Sequence, residues 1–183
     1  MNSYFTNPLE FIISTLFSLY ILAVMLRFLL GMVRADFYNP ISQFLVKITN
    51  PLLVPLRKII PGTGKIDVAA IILMLVLQLI MLAIIVALRG VTPPLLGLLL
   101  TAIGTLVILA INVFLFAIIV QVIISWVNPG SYNPVNGLLS SLTAPVMRPI
   151  QRLLPPMSGI DLSPLFALIG LQVLKMLIQP LLG

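Results

Sequence analysis

Two aspartates, Asp67 and Asp161, each stand immediately before a long apolar run, and each follows a connector rich in proline and arginine. Carboxylates in such places suit two chemistries. Each can accept hydrogen bonds from the exposed amides of a helix start and favour the positive end of its dipole, or the two together can bind a cation. Asp ahead of an apolar run is a common helix start, so capping is the expectation and cation binding the alternative. Five further residues put polar groups inside apolar stretches: Arg27, Gln78, Gln121, Gln172 and Lys175. Gln78 and Gln172 each lie eleven positions beyond an aspartate (78 − 67 and 172 − 161). At a rise of 1.5 Å per residue that is about 16 Å along a helix, near the middle of a bilayer. Polar groups at that depth either join helices by hydrogen bonds of about 1 kcal/mol each or line a track for ions. Helix joining is favoured, with both glutamines facing the interior in one shared layer and Lys175 close by. Arg27 is placed to snorkel toward the cytoplasmic interface.

What the chain lacks narrows its chemistry further. With no His and no Cys it has no thiolate or imidazole metal ligands, no disulfides, no Ser-His-Asp or Cys-His catalysis and no His-ligated haem. No nucleophile–base constellation is visible, so a non-enzymatic protein without a cofactor is expected. Hydrophobic residues make up 61% of the chain and charged ones 8%, and the mean hydropathy is +1.24. A soluble domain carries about 25% charge, so these values predict an integral membrane protein. The net charge of +6 is spread beside apolar segments rather than gathered in a nucleic-acid footprint, which suits anionic lipid headgroups better.

These residues occur in a sequence that is written twice. A shift of ninety-four positions (134 − 40) puts Tyr38-Asn39-Pro40 on Tyr132-Asn133-Pro134 without a gap. The same shift puts Thr49 on Thr143, Pro51 on Pro145, Pro55 on Pro149, Pro61 on Pro155, Ile66-Asp67 on Ile160-Asp161 and Gln78 on Gln172. Arg27 falls on Gln121 and Ser18 on Asn112. A period this long marks a duplicated unit, with a first repeat over 1–94 and a second over 95–183.

Four stretches reach the roughly 20 apolar residues that a crossing needs. They cover about 11–33, 68–88, the later part of 95–127 from about Thr105, and 162–182. Residues 95–103 are expected to be a linker or a helical extension near the surface. The start lacks a basic region and a small-residue cleavage site, so the stretch from Phe11 reads as a retained helix and not a signal peptide. The fold class is therefore an all-α membrane protein, with four transmembrane helices arranged as two parallel two-helix repeats. Arg34, Lys47, Arg57, Lys58 and Lys65 in the first connector and Arg148 and Arg152 in the second stand against Arg89 alone on the other side. Such an asymmetry predicts cytoplasmic connectors and both termini outside.

In the first connector Ile41, Phe44, Leu45, Ile48, Leu52, Leu56 and Ile59 fall at helical spacing, and Val135, Leu138, Leu139, Leu142 and Val146 repeat the pattern. An amphipathic basic helix of this kind is expected to lie in the membrane interface; a re-entrant element is the alternative. Asn39 and Asn133 precede Pro40 and Pro134, as N-caps precede a first-turn proline. Pro51 with Pro55, and Pro145 with Pro149, are expected to kink or split these helices.

The second half, SWVNPGSYNPVNGLLSSLTAPVMRPIQRLLPPMSGIDLSPL, resembles the YggT family of bacterial membrane proteins, related to the YlmG proteins of Gram-positive bacteria and plastids. The resemblance covers nearly the whole chain and rests on Asn133, Pro134, Pro145, Arg148, Pro149, Arg152, Pro155, Asp161, Ser163 and Pro164. The first repeat departs from it after Asp67, where Val68-Ala69-Ala70 replaces Leu-Ser-Pro. The resemblance implies an envelope protein of the bacterial inner membrane linked to osmotic or ionic stress, and associated in relatives with cytochrome maturation, nucleoid distribution or division. The expected function is an accessory or assembly protein supporting envelope or osmotic homeostasis. The alternative is a small oligomeric cation channel or transporter subunit. The partners expected are the anionic bilayer and either further copies or other membrane proteins, with no nucleic acid.

Overall fold

A computed structural model describes residues 3–60, 66–127, 133–153 and 161–182. Pro61, Lys65, Tyr132, Pro155 and Ile160 lie outside these residues. The elements of the described chain are all helices: α1 Ser3–Met32, α2 Pro40–Ile59, α3 Val68–Arg89, α4 Leu95–Val127, α5 Pro134–Leu153, α6 Ser163–Ile178 and a closing 3-10 turn Gln179–Leu182. Among the described residues three segments are long and apolar enough to cross a membrane: Thr6–Met32, Val68–Arg89 and Leu95–Val127. Their outward positions carry large apolar side chains such as Phe11, Leu16, Ile80, Phe116 and Ile123, a surface that water would not tolerate and lipid would.

The fourth expected span is shorter than its sequence suggests. Helix α6 has 16 residues, about 24 Å at 1.5 Å each, against a hydrocarbon core of about 30 Å. Pro180 lacks the N–H that would extend the helix, and the chain tightens into the 3-10 turn instead. Helix α4 takes the second of its two expected forms, with 95–103 as a helical extension. Residues 95–103 form no separate linker, because Leu95–Val127 is one helix of 33 residues. No proline interrupts it, the Thr101 and Thr105 hydroxyls donate to the carbonyls four residues back, and Ala102 and Gly104 are buried.

The connector helices also run unbroken, 20 residues each, through prolines expected to kink or split them. Each pair is spaced i, i+4, so both rings share one helix face, and all four prolines are exposed. The opposite face makes the contacts, through Ser42, Leu45, Thr49 and Leu53 in α2 and Leu138, Leu142, Thr143 and Met147 in α5. Ile41, Phe44, Leu52 and Ile59 of the expected apolar stripe are exposed.

Helix α1 packs on α2 and α3, and α4 packs on α5 and α6; the two groups meet through α3–α4, α1–α5 and α1–α4. The shared core is apolar, with Ile21, Val24, Met25, Leu53, Leu73, Met74 and Ala117 all buried, and Ala69 and Ala70 let backbones approach. Helices α1 and α3 stop alike. Ala35 N–H bonds Leu30 O and Arg34 N–H bonds Gly31 O; Val91 and Gly90 do the same to Val86 and Ala87. This Schellman pattern needs a left-handed residue, supplied by Gly90 at φ 70° and by Arg34 at φ 53°.

Candidate functional site

The polar side chains gather where the connector helices meet the long ones, and the same contacts form in both repeats. Arg57 pairs with Asp67, and at the positions ninety-four further on Gln151 Nε2 donates to Asp161 Oδ2 at 3.1 Å. Arg27 donates to Thr49 Oγ1 at 2.6 Å, and its counterpart Gln121 accepts from Thr143 Oγ1 at 2.6 Å. Ser18 Oγ lies 4.0 Å from Met81 Sδ, and their counterparts are joined by Lys175 Nζ donating to Asn112 Oδ1 at 2.9 Å. Each slot is kept while its chemistry changes.

Asp67 is the N-cap of α3, as its position in the sequence suggests, whereas Asp161 stands one residue before Leu162, the N-cap of α6, and accepts from the first helical N–H. Ala70 N–H donates to Asp67 Oδ1 at 3.2 Å, and Ser163 N–H donates to Asp161 Oδ1 at 2.8 Å. Ser163, whose backbone N–H donates to it, and then Gln151 hold the Asp161 carboxyl below its ordinary value, against an opposing effect of burial. Asn39 and Asn133 likewise accept from Ile41 N–H and Val135 N–H, both at 3.0 Å. Asn39 Nδ2 also donates to Pro134 O at 2.7 Å, tying the start of α2 to the start of α5.

Each cluster opens into a pocket. The first, of about 380 Å³, is lined by Arg27, Phe28, Gly31, Met32, Arg57 and Asp67 together with residues of α2 and the α1–α2 turn. The second, of about 750 Å³, is lined by Gln121, Val122, Ser125, Trp126, Gln151 and Asp161, the same six positions shifted by ninety-four, together with residues of α5 and α6. The first pocket holds two guanidiniums and one carboxylate, net +1. The second holds one carboxylate and no cation, net −1. The two aspartates thus line different pockets and share no site. Among the described residues no group of three or more acidic side chains could hold a metal ion.

The expected glutamine layer does not form. Gln78 is buried at 3% exposure, but Gln172 is exposed; α6 turns its buried positions, Ser163 and Ala167, onto α4 and α5, and Gln172 lies off that face. Lys175 sits in the last turn of α6, where the helix dipole favours a cation. Arg27 stays among α2 side chains, also donating to Asn50 Oδ1 at 2.8 Å. Arg148 and Arg152 are exposed on α5, as are Asn133, Pro134, Pro145 and Pro149, while Ser163 is fully buried and Pro164 half-buried. The partners Thr49, Asn50, Thr143 and Gln151 were not expected as site residues, whereas Asn112 stood out in the sequence as the polar counterpart of Ser18. Recurrence at the ninety-four-residue offset was the available signal for Thr49 and Thr143.

A model of the CCB3/YggT family matches the chain twice, over residues 6–88 and 100–182, so the two matches start ninety-four residues apart (100 − 6). An uncharacterized protein of Pseudomonas aeruginosa is 48% identical over 170 residues, covering 92% of this chain and 86% of its own. A protein of Vibrio alginolyticus from the region 3′ of proC is 39% identical over 179 residues, covering 97% and 96%. YggT of Escherichia coli K12 is 37% identical over 172 residues, covering 93% and 88%. No solved structure gives a significant match.

Proposed function

This chain belongs to the CCB3/YggT family, and from that premise we propose that it is a non-enzymatic accessory or assembly protein of the bacterial inner membrane that supports envelope or osmotic homeostasis. One observation carries the reading: among the described residues, Gln78 is the one buried polar side chain within the long apolar helices. Of the buried polar residues Asn39, Ser42, Thr49, Gln78, Thr143 and Ser163, all but Gln78 lie on the connector helices or at a helix start. A conducting path needs hydration or a row of polar groups through the apolar layer. Here Ile21, Val24, Leu73 and Met74 occupy that layer. The connectors face the cytoplasm in this reading, with α6 and its 3-10 turn completing a fourth crossing.

The decisive experiment joins two measurements on the full chain. Purified protein in liposomes should give no potassium or sodium flux above protein-free vesicles. A deletion strain should grow poorly after osmotic upshift and recover when the chain is restored. Flux dependent on the protein would replace this reading with the cation-channel one, and normal growth of the deletion strain would remove the homeostasis role.

A further inference from the structure

We propose that the pocket of the first repeat binds the phosphate of an anionic phospholipid headgroup. Arg27 is a half-buried guanidinium on a membrane-spanning helix, and among the described residues no carboxylate forms an ion pair with it. Its three acceptors, Thr49 Oγ1, Asn50 Oδ1 and Val46 O, are neutral and are all served by one terminal nitrogen. A guanidinium carries five N–H donors in a planar fork. The donors on Nε and the other terminal nitrogen therefore remain for a ligand. Asp67 neutralises the neighbouring Arg57, which leaves the pocket one positive charge.

The rest of the pocket suits a lipid better than a free ion. Phe28, Leu30, Met32 and Leu45 line it, giving apolar wall for the glycerol and first acyl carbons beside the cation. Met32, Phe37 and Ile66 at its edge are exposed, so the space opens on the protein surface. A phosphate there would meet Arg27 in the bidentate geometry that guanidinium favours. The second repeat is the internal contrast. With Gln121 and Gln151 in place of the arginines its pocket is net −1 and would repel the same group.

The test adds phosphatidylglycerol or phosphatidylcholine to the full chain in detergent and follows lipid retention by native mass spectrometry. Retention should favour phosphatidylglycerol by about fivefold, the value of one unpaired arginine near an anionic headgroup. Arg27→Gln should abolish that preference. Gly31→Leu should abolish it independently, because Gly31 lines the pocket and a Cβ there meets nothing within 4 Å; this variant decides the matter if Arg27→Gln does not fold. Lys47→Gln, an exposed charge on α2 outside the pocket, should keep the preference. Equal retention of both lipids by the wild type would overturn the proposal, as would a preference surviving in Gly31→Leu. Loss in Lys47→Gln would make the effect diffuse surface charge, and displacement of the lipid by millimolar inorganic phosphate would make the ligand a free ion; either result overturns it.

Discussion

Thr49 shows what a buried hydroxyl does beside a cation. It is 0% exposed, accepts from Arg27 and donates to Leu45 O at 2.6 Å. Thr143, its counterpart at 1% exposure, serves neutral Gln121. Hydrogen bonds to charged groups contribute about 1.5–3 kcal/mol and neutral ones about 1, so Thr49→Val should destabilise the protein more than Thr143→Val in detergent melts. A reversed order would mean that Arg27 draws little from Thr49. For Asp161 the sign follows from its depressed pKa: the carboxylate contributes stability above the ordinary 3.8 and loses it as pH falls through the lower folded value. Asp161→Asn keeps an acceptor and should melt without that acid loss, whereas Asp161→Ala should lose about 1 kcal/mol at neutral pH. The Asp67 cap and the bond from Asp161 to the first turn of α6 were legible because each needs only its own stretch of chain. Arg27's choice of Thr49 was not, since two helices must pack before either side chain has a neighbour.

The connector helices teach a similar lesson one level up. Their starts at Pro40 and Pro134 follow the Asn-Pro signal, but their continuity does not follow from counting prolines. A helix-interior proline costs about 3 kcal/mol through its lost N–H and its clash with the preceding turn. Here the rings share an exposed face and no packing depends on them. Pro145→Ala should therefore raise the melting temperature, because it restores a backbone bond and removes no buried contact. A fall would show that the ring's constraint on the backbone is needed for α5 to seat on α4. The short α6 was hidden for a related reason: apolar composition marks 162–182 as membrane-compatible but says nothing about where α-helical hydrogen bonding ends.

Across the whole molecule, orientation rests on the charge asymmetry between the connectors and the α3–α4 link. Arg57, Lys58, Arg148 and Arg152 are exposed on one set of elements, and Arg89 pairs with Glu10 Oε2 at 2.7 Å on the other. In a chain lacking Cys, single cysteines at Lys58 or Arg152 should resist an impermeant thiol reagent in intact cells, and one at exposed Val91 should react. The opposite pattern would invert the topology. The duplication was fully visible as text, yet the exchange of charge between the two pockets was not. It emerges only when residues thirty or forty positions apart, such as Arg27, Arg57 and Asp67, are seen to line one space.

The bond from Asn39 to the Pro134 carbonyl is made once; Asn133 is exposed and makes no return bond to Pro40 among the described residues. Two separate copies meeting about a two-fold axis must satisfy every contact twice, with residue i on j and j on i. Fusion into one polypeptide removes that obligation. One half can then specialise as host and the other as scaffold, a division of labour that a symmetric pair of single-repeat chains has no means to adopt.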